Sequence, residues 1–481
     1  FYCGSGGGKY IVKEQSRQTD PSTPVTQLAC MSRRRLNWLW NGLSLLGFAL
    51  LMTLLGIIIA LYQFPPYRSV CNALIALSAL GEQQALLASP WPEHLWYPAE
   101  HAAEGELASE PAAFYGDYTV YTSEHDCITS LVDQSGRELH RWATPFSKVW
   151  PDAPHIPSWV PDRCVYIHRN LAYPNGDLLA VYETTVSTPS GGGLAKCDAN
   201  SKVLWTYDSN AHHDFCTDHS GTIYVLTHRL RRLKNEDISG AEEVLSVPSI
   251  EDCITILSPD GQPLKTISIL DALLNSPFSR PSLWHIDRYG DIMHNNTVNW
   301  IGKPFAQHHD GVSEGDLMIC LRNLNIVAVI NPQHGNLVWA TTGPWNHPHD
   351  PDPMDNGHIL IFDNLLIHGR HDGSGVVEFD PFKRQIIWTY TGNRDARLRS
   401  DIRSCQQALP NGNVLITESS KGRIIEVNRD GTTVWEYMNP VRGGDHHELI
   451  PIICGARRYT REELPFVEKL SSIASLQENT R

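Results

Sequence analysis

Three histidines and one arginine carry the chemistry that this chain can perform. His213, His294 and His349 each stand eight residues ahead of a glycine (Gly221, Gly302 and Gly357), and His168 and Ser404 hold the same place before Gly176 and Gly412. Arg322 lies in CLRNLN, on a strand adjacent to these positions. An imidazole titrates near neutral pH and serves as nucleophile, general acid or general base. Three imidazoles and a guanidinium around one mouth make a positive, donor-rich pocket for a tetrahedral oxyanion such as sulfate or phosphate. His168, in the first copy, and His212, beside His213, read as structural histidines that hold backbone, and Ser404 as a hydrogen-bond donor.

A longer repeat positions these side chains. It runs from an Asp/Asn turn through an apolar strand with Trp, a gap, the His position, a turn with Gly, and a second apolar strand. The copies read ANSKVLWTYDSNAHHDFCTDHSGTIYVL, NPQHGNLVWATTGPWNHPHDPDPMDNGHILIF and DPFKRQIIWTYTGNRDARLRSDIRSCQQALPNGNVLIT. Repeats built only from strands stack around an axis as propeller blades, so equivalent positions meet at one channel. Five blades are clear, and the strand YTVYTS, near Tyr118, completes a sixth with the C-terminal HHELIPIICGARRY. The fold expected is all-β, a six-bladed β-propeller preceded by a single transmembrane helix. Residues 229–250 and 271–283 interrupt the pattern as loops on one face, and Gly191-Gly192-Gly193 reads as a flexible turn.

The anchor is a charge-free run over residues 39–62, long enough to cross a bilayer. Arg33, Arg34 and Arg35 precede it, which by the positive-inside rule places the N-terminus in the cytoplasm and the propeller outside it. The exit sequence YQFPPYRS lacks a small-x-small cleavage site and argues for an uncleaved anchor. Residues 1–30, ahead of Met31, read either as a non-native or disordered extension or as a cytoplasmic tail. Residues 31–64 are then the Arg cluster and anchor, 65–113 a short helix and Pro-rich linker, 114–458 the propeller, and 459–481 a C-terminal tail with surface-helix character.

Other chemistries are excluded. A net charge of −14 and the absence of any basic stripe exclude nucleic acid. No Walker loop, dinucleotide fingerprint or HExxH occurs, so no cofactor is implied. His347-x-His349-Asp350 and His308-His309-Asp310 have ligand-type composition, but no carboxylates converge on equivalent positions and neither reads as a metal site. His368, His371 and Asp372 read as a solvated loop. The 11 cysteines lack metal spacing, and Cys197, Cys320 and Cys405 read as buried free thiols.

Over about residues 115–465 the chain resembles the arylsulfotransferase family, and its membrane-anchored branch in particular. The ordered set GDYTVYTS, LAYPNGDLLAVYE, DIMHNNTV, GDLMICLRNLN, GPWNHPHDP, NGHILIFDN and LPNGNVLITESSKGRIIEVNRDGTTVWEY carries the resemblance. It implies transfer of a sulfuryl group from a phenolic sulfate ester to a phenolic acceptor through a sulfated histidine, without a nucleotide donor. Matched motif by motif, His349 of the HDP segment is the nucleophile. His294 of HNNT and Arg322 of LRN hold the sulfuryl oxygens, and His213 of HHDF acts as acid/base or as a further sulfate contact. Pro348 and Pro351 are expected to fix the backbone around His349, and Asp350 to orient its imidazole. The partners expected are a small aromatic sulfate and a phenol. A reading from another class is a catalytically silent propeller that binds an anionic ligand or a protein at the membrane surface.

Overall fold

A computed structural model of the chain describes residues 25–62, 64, 67–100, 104–153, 155–186, 190–231, 249–278, 290–365, 373–393 and 397–470. Two compact units emerge, residues 1–82 and residues 83–481. In the first, helix α1 (Val25–Tyr62) contains the apolar span Trp38–Tyr62, of mean hydropathy 2.6, and Trp38, Phe48 and Leu61 stand exposed on it. A charge-free helix of that length exceeds the ~30 Å hydrocarbon core of a bilayer. Helix α2 (Tyr67–Ala88) also holds a span of sufficient length, Ser69–Ala88, with a lower mean hydropathy of 1.2.

The second unit is a propeller of six antiparallel sheets. Blades 1 to 5 follow the chain, with innermost strands Val165–Ala172, Ala211–Thr217, Asn295–Trp300, Pro348–Pro353 and Cys405–Ala408. Blade 6 joins the two ends of the propeller. Its inner strand, Ile453–Tyr459, pairs with Tyr118–Ser123, which continues into Ile128–Asp133 and Glu138–Ala143. The Trp-to-His repeat in the sequence is therefore one strand out of phase with the blades: the Trp sits on the outer strand of one blade and the His on the inner strand of the next.

Burial explains the strand compositions. Second and third strands lie between neighbouring blades and are buried on both faces, as in Leu317–Leu321, Ile359–Asp363 and Val414–Glu418, so they read as unbroken apolar runs. Alternate side chains serve opposite neighbours: Leu317, Ile319 and Leu321 join the layer shared with blade 2, and Met318 joins the layer shared with blade 4. Six such apolar layers separate the six blades. Outer-strand tryptophans pin four of the blades to a turn of the next. Trp142, Trp388 and Trp435 donate through Nε1 to the carbonyls of Gly176, Arg429 and Gln134, at 2.9, 2.8 and 3.0 Å. Trp205 instead lies on Gly261, where a Cβ would meet its ring at 2.5 Å and φ is +78°.

Several local expectations are corrected. Gly191-Gly192-Gly193 opens the third strand of blade 1 rather than a flexible turn. A Cβ on Gly191 would lie 2.4 Å from the Asn210 backbone, and one on Gly193 2.7 Å from the Trp150 ring, so close approach is what requires glycine there. Of the expected loop 229–250, residues 229–231 and 249–250 lie in paired strands, Ile223–Arg231 and Ser249–Leu257. Within 271–283 the chain completes a helix, Ile269–Leu274, and residues 279–283 lie outside the described residues, as do His368, His371 and Asp372. The segment after α2 contributes two short strands: Trp96–Pro98 pairs with Leu449–Pro451, and Gly105–Ser109 adds a fifth strand to blade 5. In the C-terminal tail Leu464, Phe466 and Val467 are buried in the layer between blades 6 and 1. The nine cysteines from Cys71 to Cys454 are free thiols, including the expected Cys197, Cys320 and Cys405.

Ring closure has its own ion pair. Arg458, on the closing strand, is fully buried and binds Glu426 of blade 5 at 2.9 Å, donates to Thr119 Oγ1 at 2.7 Å and lies 4.3 Å from the Trp435 ring. Burial pulls its pKa down to about 10, which leaves it charged at neutral pH. Removing one member of a buried pair strands the other charge. Arg458→Met is expected to destabilise the full-length chain by about 3–5 kcal/mol, and adding Glu426→Gln should restore part of that loss. Thermal unfolding of both variants checks this, and an unchanged midpoint for Arg458→Met would remove the pair from the account of closure.

Candidate active site

The site begins with breaks in strand pairing. On the inner strands the register with the second strand slips between Ala211 and Phe215, between Asn295 and Val298, and between His349 and Asp352. Bulges of this kind re-aim side chains and recur beside active sites. Left-handed backbone at non-glycine residues falls inside two of the slips, at His213 (φ 49°) and Asp350 (52°), and just ahead of the inner strands of blades 3 and 5, at His294 (49°) and Ser404 (71°). Such conformations cost energy and persist where the surroundings over-determine them. His213 and His294 share the feature, whereas in blade 4 it falls on His347 (54°) and Asp350 rather than His349.

His349 is held by its neighbours through one nitrogen. Its Nδ1 lies 2.6 Å from Asn364 Oδ1 and 3.1 Å from the His347 carbonyl. The Asn364 amide cannot be turned round, because its Nδ2 donates to the carbonyls of Ser400 at 2.7 Å and Arg403 at 3.0 Å. The oxygen therefore faces the ring, Nδ1 carries the proton, and the lone pair of the neutral imidazole is at Nε2. Burial, followed by the nearby charges of Arg322, His294 and His213, holds the His349 pKa well below the usual imidazole range. Its neutral, nucleophilic form is the resident form at neutral pH.

The other three expected residues gather around it. The His213 and His294 rings meet edge to face with centroids 5.0 Å apart. His294 Nδ1 lies 2.6 Å from Asp291 Oδ2, and the same carboxylate accepts its backbone N–H. Arg322 follows the strand Leu317–Leu321, its backbone N–H bonds the His294 carbonyl at 3.2 Å, and its guanidinium donates to Asn323 at 2.9 Å. His213 Nδ1 lies 2.9 Å from Glu183 Oε1 and 2.8 Å from His212 Nδ1, and its N–H donates to Glu183 at 2.6 Å. His168 carries the strained turn: its Nδ1 is 2.6 Å from the His213 carbonyl and its ring packs on His213.

Other members depart from the sequence reading. Asp350 does not orient His349; it pairs with Arg169 and accepts from the Gln406 N–H at 3.2 Å. Ser404 is buried, and its hydroxyl oxygen accepts from the Ser419 N–H at 3.1 Å. His309 stacks between Phe305 and Phe382, away from the channel, and bonds the Gly357 carbonyl. Asn364, Glu183, Asp291 and Arg403 were not among the expected site residues. Arg403 pairs with Glu124 and donates to Tyr166 Oη at 2.8 Å, and Tyr166 in turn donates to Glu183 at 2.7 Å. The chemistry-bearing histidines thus stand on a carboxylate layer that spacing alone does not reveal.

Two cavities flank this layer. One, of about 400 Å³, occupies the channel beyond the bulges and is lined by Arg169, Asp214, Asp350, Asp352 and Gln406. The other, of about 670 Å³, is lined by Tyr97, Asn346, Asn364, Leu365, Arg399 and Lys421 and so borders the residue that orients His349.

His168 gives the site a pH signature. Burial brings its pKa down to about 3, against ~6.5 for a free imidazole. Between those values the unfolded chain takes up a proton that the fold excludes. The stability is complete above pH ~6.5 and is lost as the pH falls toward 3, by at most ~1.4 kcal/mol per pH unit for this group. Denaturant midpoints measured between pH 7 and 4.5 should fall on acidification, and His168→Gln should flatten the slope. An unchanged slope assigns the acid sensitivity elsewhere.

No curated protein matches the sequence significantly. Among solved structures, a Bacteroides caccae protein of unknown function is 13% identical with TM-score 0.40, the match covering 70% of this chain and 99% of that one. Virginiamycin B lyase from Staphylococcus aureus is 11% identical with TM-score 0.37, over 72% of this chain and 97% of that one. Neither relation bears on function. Residues 162–440, which take in blades 1 to 5 and all four residues at the channel mouth, match the sequence profile described as arylsulfotransferase (ASST). That span is more than half of the chain, and the protein belongs to the arylsulfotransferase family.

Proposed function

We propose that the protein moves a sulfuryl group from a phenolic sulfate ester to a phenolic acceptor, with His349 as the intermediate carrier. The observation that carries this reading is the Asn364–His349 pair: Nδ1 is tied down, Nε2 is free, and the ring is neutral. Family membership supports transferase chemistry of this type. In the first step the Nε2 lone pair forms an N–S bond as the S–O bond to the aryl group breaks, and the phenol leaves with a proton. In the second step an incoming phenol attacks sulfur, the N–S bond breaks, and the phenolic proton passes to the site.

The surroundings suit both steps. Charge on the equatorial sulfuryl oxygens is met by Arg322 and His294, as in phosphoryl transfer. His213, backed by Glu183, is placed to exchange the phenolic proton. The cavity bounded by Tyr97, Leu365 and Asn364 is the place for the aryl ring. Splitting one transfer into two half-reactions through a fixed nitrogen implies ping-pong kinetics. We place the propeller on the extracytoplasmic side of a membrane, tethered by the single span Trp38–Tyr62 with the Arg33–Arg35 end inside. The charge-free span and the flanking arginines support that topology.

Steady-state kinetics of transfer between two phenols test the reading. His349→Ala should abolish transfer, while His294→Ala and Arg322→Ala should slow it by about 10²–10³-fold, as expected for lost oxyanion donors. Because His349 must be neutral to attack and is held below the usual range, wild-type transfer should persist as the pH falls through ~6.5. Arg322→Gln, which removes a neighbouring positive charge, should move the acid limb to higher pH. Near-normal transfer by His349→Ala would assign the carrier role elsewhere, and absence of transfer by the wild type with every aryl sulfate tried would favour a binding function for the mouth.

A further inference from the structure

Beside the channel mouth, blade 2 brings together three buried polar side chains, two of which turn an unpartnered atom toward the others. His212 lies on the inner strand, His228 on the second and Asp252 on the third, with His228 and Asp252 directly opposed across the sheet. His212 and Asp252 have no solvent exposure, and the His228 side chain is 8% exposed. His212 Nε2 and Asp252 Oδ1 make no hydrogen bond, and His228 turns its Nε2 toward Asp252 Oδ1 at 3.2 Å. The two imidazole rings lie face to face with centroids 3.3 Å apart. Leaving buried polar atoms unpaired is costly, and two imidazoles crowded onto a carboxylate have no evident packing purpose.

From this geometry we infer that His212, His228 and Asp252 form a binding site for a divalent transition-metal ion of the zinc class. The three side chains present ligand atoms within 4.8 Å of one another. Around a tetrahedral ion with bonds of ~2.0–2.1 Å, neighbouring ligand atoms stand about 3.4 Å apart. The separations from Asp252 Oδ1 are 3.2 Å to His228 Nε2 and 3.8 Å to His212 Nε2, on either side of that value. Two imidazole nitrogens and one carboxylate oxygen suit zinc or its neighbours better than calcium or magnesium, and they leave a fourth position for water. The carboxylate has outer support, since Asp252 Oδ2 accepts from the Asn295 N–H at 2.9 Å.

The neighbouring trio His168, Glu183 and His213 has a similar spacing but is already committed. Glu183 accepts from Tyr166 and from the His213 N–H, and His168 Nδ1 bonds the His213 carbonyl. An ion on blade 2 would stitch three strands together one hydrogen bond away from His213. It would bear on the stability of the mouth whether or not sulfuryl transfer is the reaction.

The test uses the full-length chain stripped with a chelator and titrated with Co²⁺ and then Zn²⁺ alone. The expected result is uptake of one Co²⁺ per chain with the visible absorption of a four-coordinate site, its displacement by Zn²⁺, and a higher thermal midpoint when loaded. His228→Gln and Asp252→Asn should each weaken uptake by at least about tenfold, and His168→Gln should leave it unchanged. X-ray absorption of the zinc-loaded wild type should show two imidazoles, a readout that needs no variant to fold. No uptake by the wild type, a shell without imidazole, or uptake lost with His168→Gln and retained in the blade 2 variants would overturn the assignment.

Discussion

Without the pairing of Ile453–Tyr459 against Tyr118–Ser123, the six sheets would form an open arc and their inner strands would share no axis. Each blade buries both faces of its middle strands only because a neighbour stands on either side, so an open ring would expose two apolar layers. Closure is therefore a packing requirement before it is a functional one. The buried Arg458–Glu426 pair and the Trp435 indole fix how blade 6 meets blade 5. Once the ring is shut, residues more than a hundred positions apart in sequence share one channel mouth.

That convergence creates an electrostatic problem that the site exploits. Three imidazoles and two guanidiniums crowd a partly buried volume, and the fold answers with carboxylates behind them: Glu183 at His213, Asp291 at His294, Glu124 at Arg403. Among the three imidazoles, His349 alone has an amide instead of a carboxylate as its orienting partner. A carboxylate there would favour imidazolium, whereas the Asn364 oxygen sets the tautomer without stabilising the charge as strongly. Position and protonation state are thus set by one neutral side chain, and the flanking cations push in the same direction.

The sequence made the propeller legible because the constraint is periodic. Trp, the Asp/Asn turn and the eight-residue interval recur in most of the blades, although the outer strand of blade 2 lacks the Trp, and the blade count and the closing strand follow from them. The same interval located His213, His294 and His349, since the bulged inner strands start at equivalent heights. What the interval could not show is anything set by close approach or by a non-repeating contact. Gly191–Gly193 opens a strand, and glycine is required there because Asn210 and Trp150 approach closely. Asp350 adjoins His349 in sequence yet pairs with Arg169, since consecutive residues of a strand face opposite ways. Asn364 lies on the strand opposite, fifteen residues along, and no local pattern marks it. His212, His228 and Asp252 belong to three strands of one blade and become neighbours only across the sheet.

The central claim is that Nε2 of His349 carries the sulfuryl group between two phenols. Its most direct test is to incubate the full-length chain with an aryl sulfate and no acceptor, quench under alkaline conditions that preserve an N–S bond, and map the modified peptide by mass spectrometry. The account predicts one added sulfuryl group per chain on the peptide containing His349, discharged when a phenol is supplied before the quench. A sulfuryl group on the His213 or His294 peptide, or none on any histidine while transfer proceeds, would contradict it.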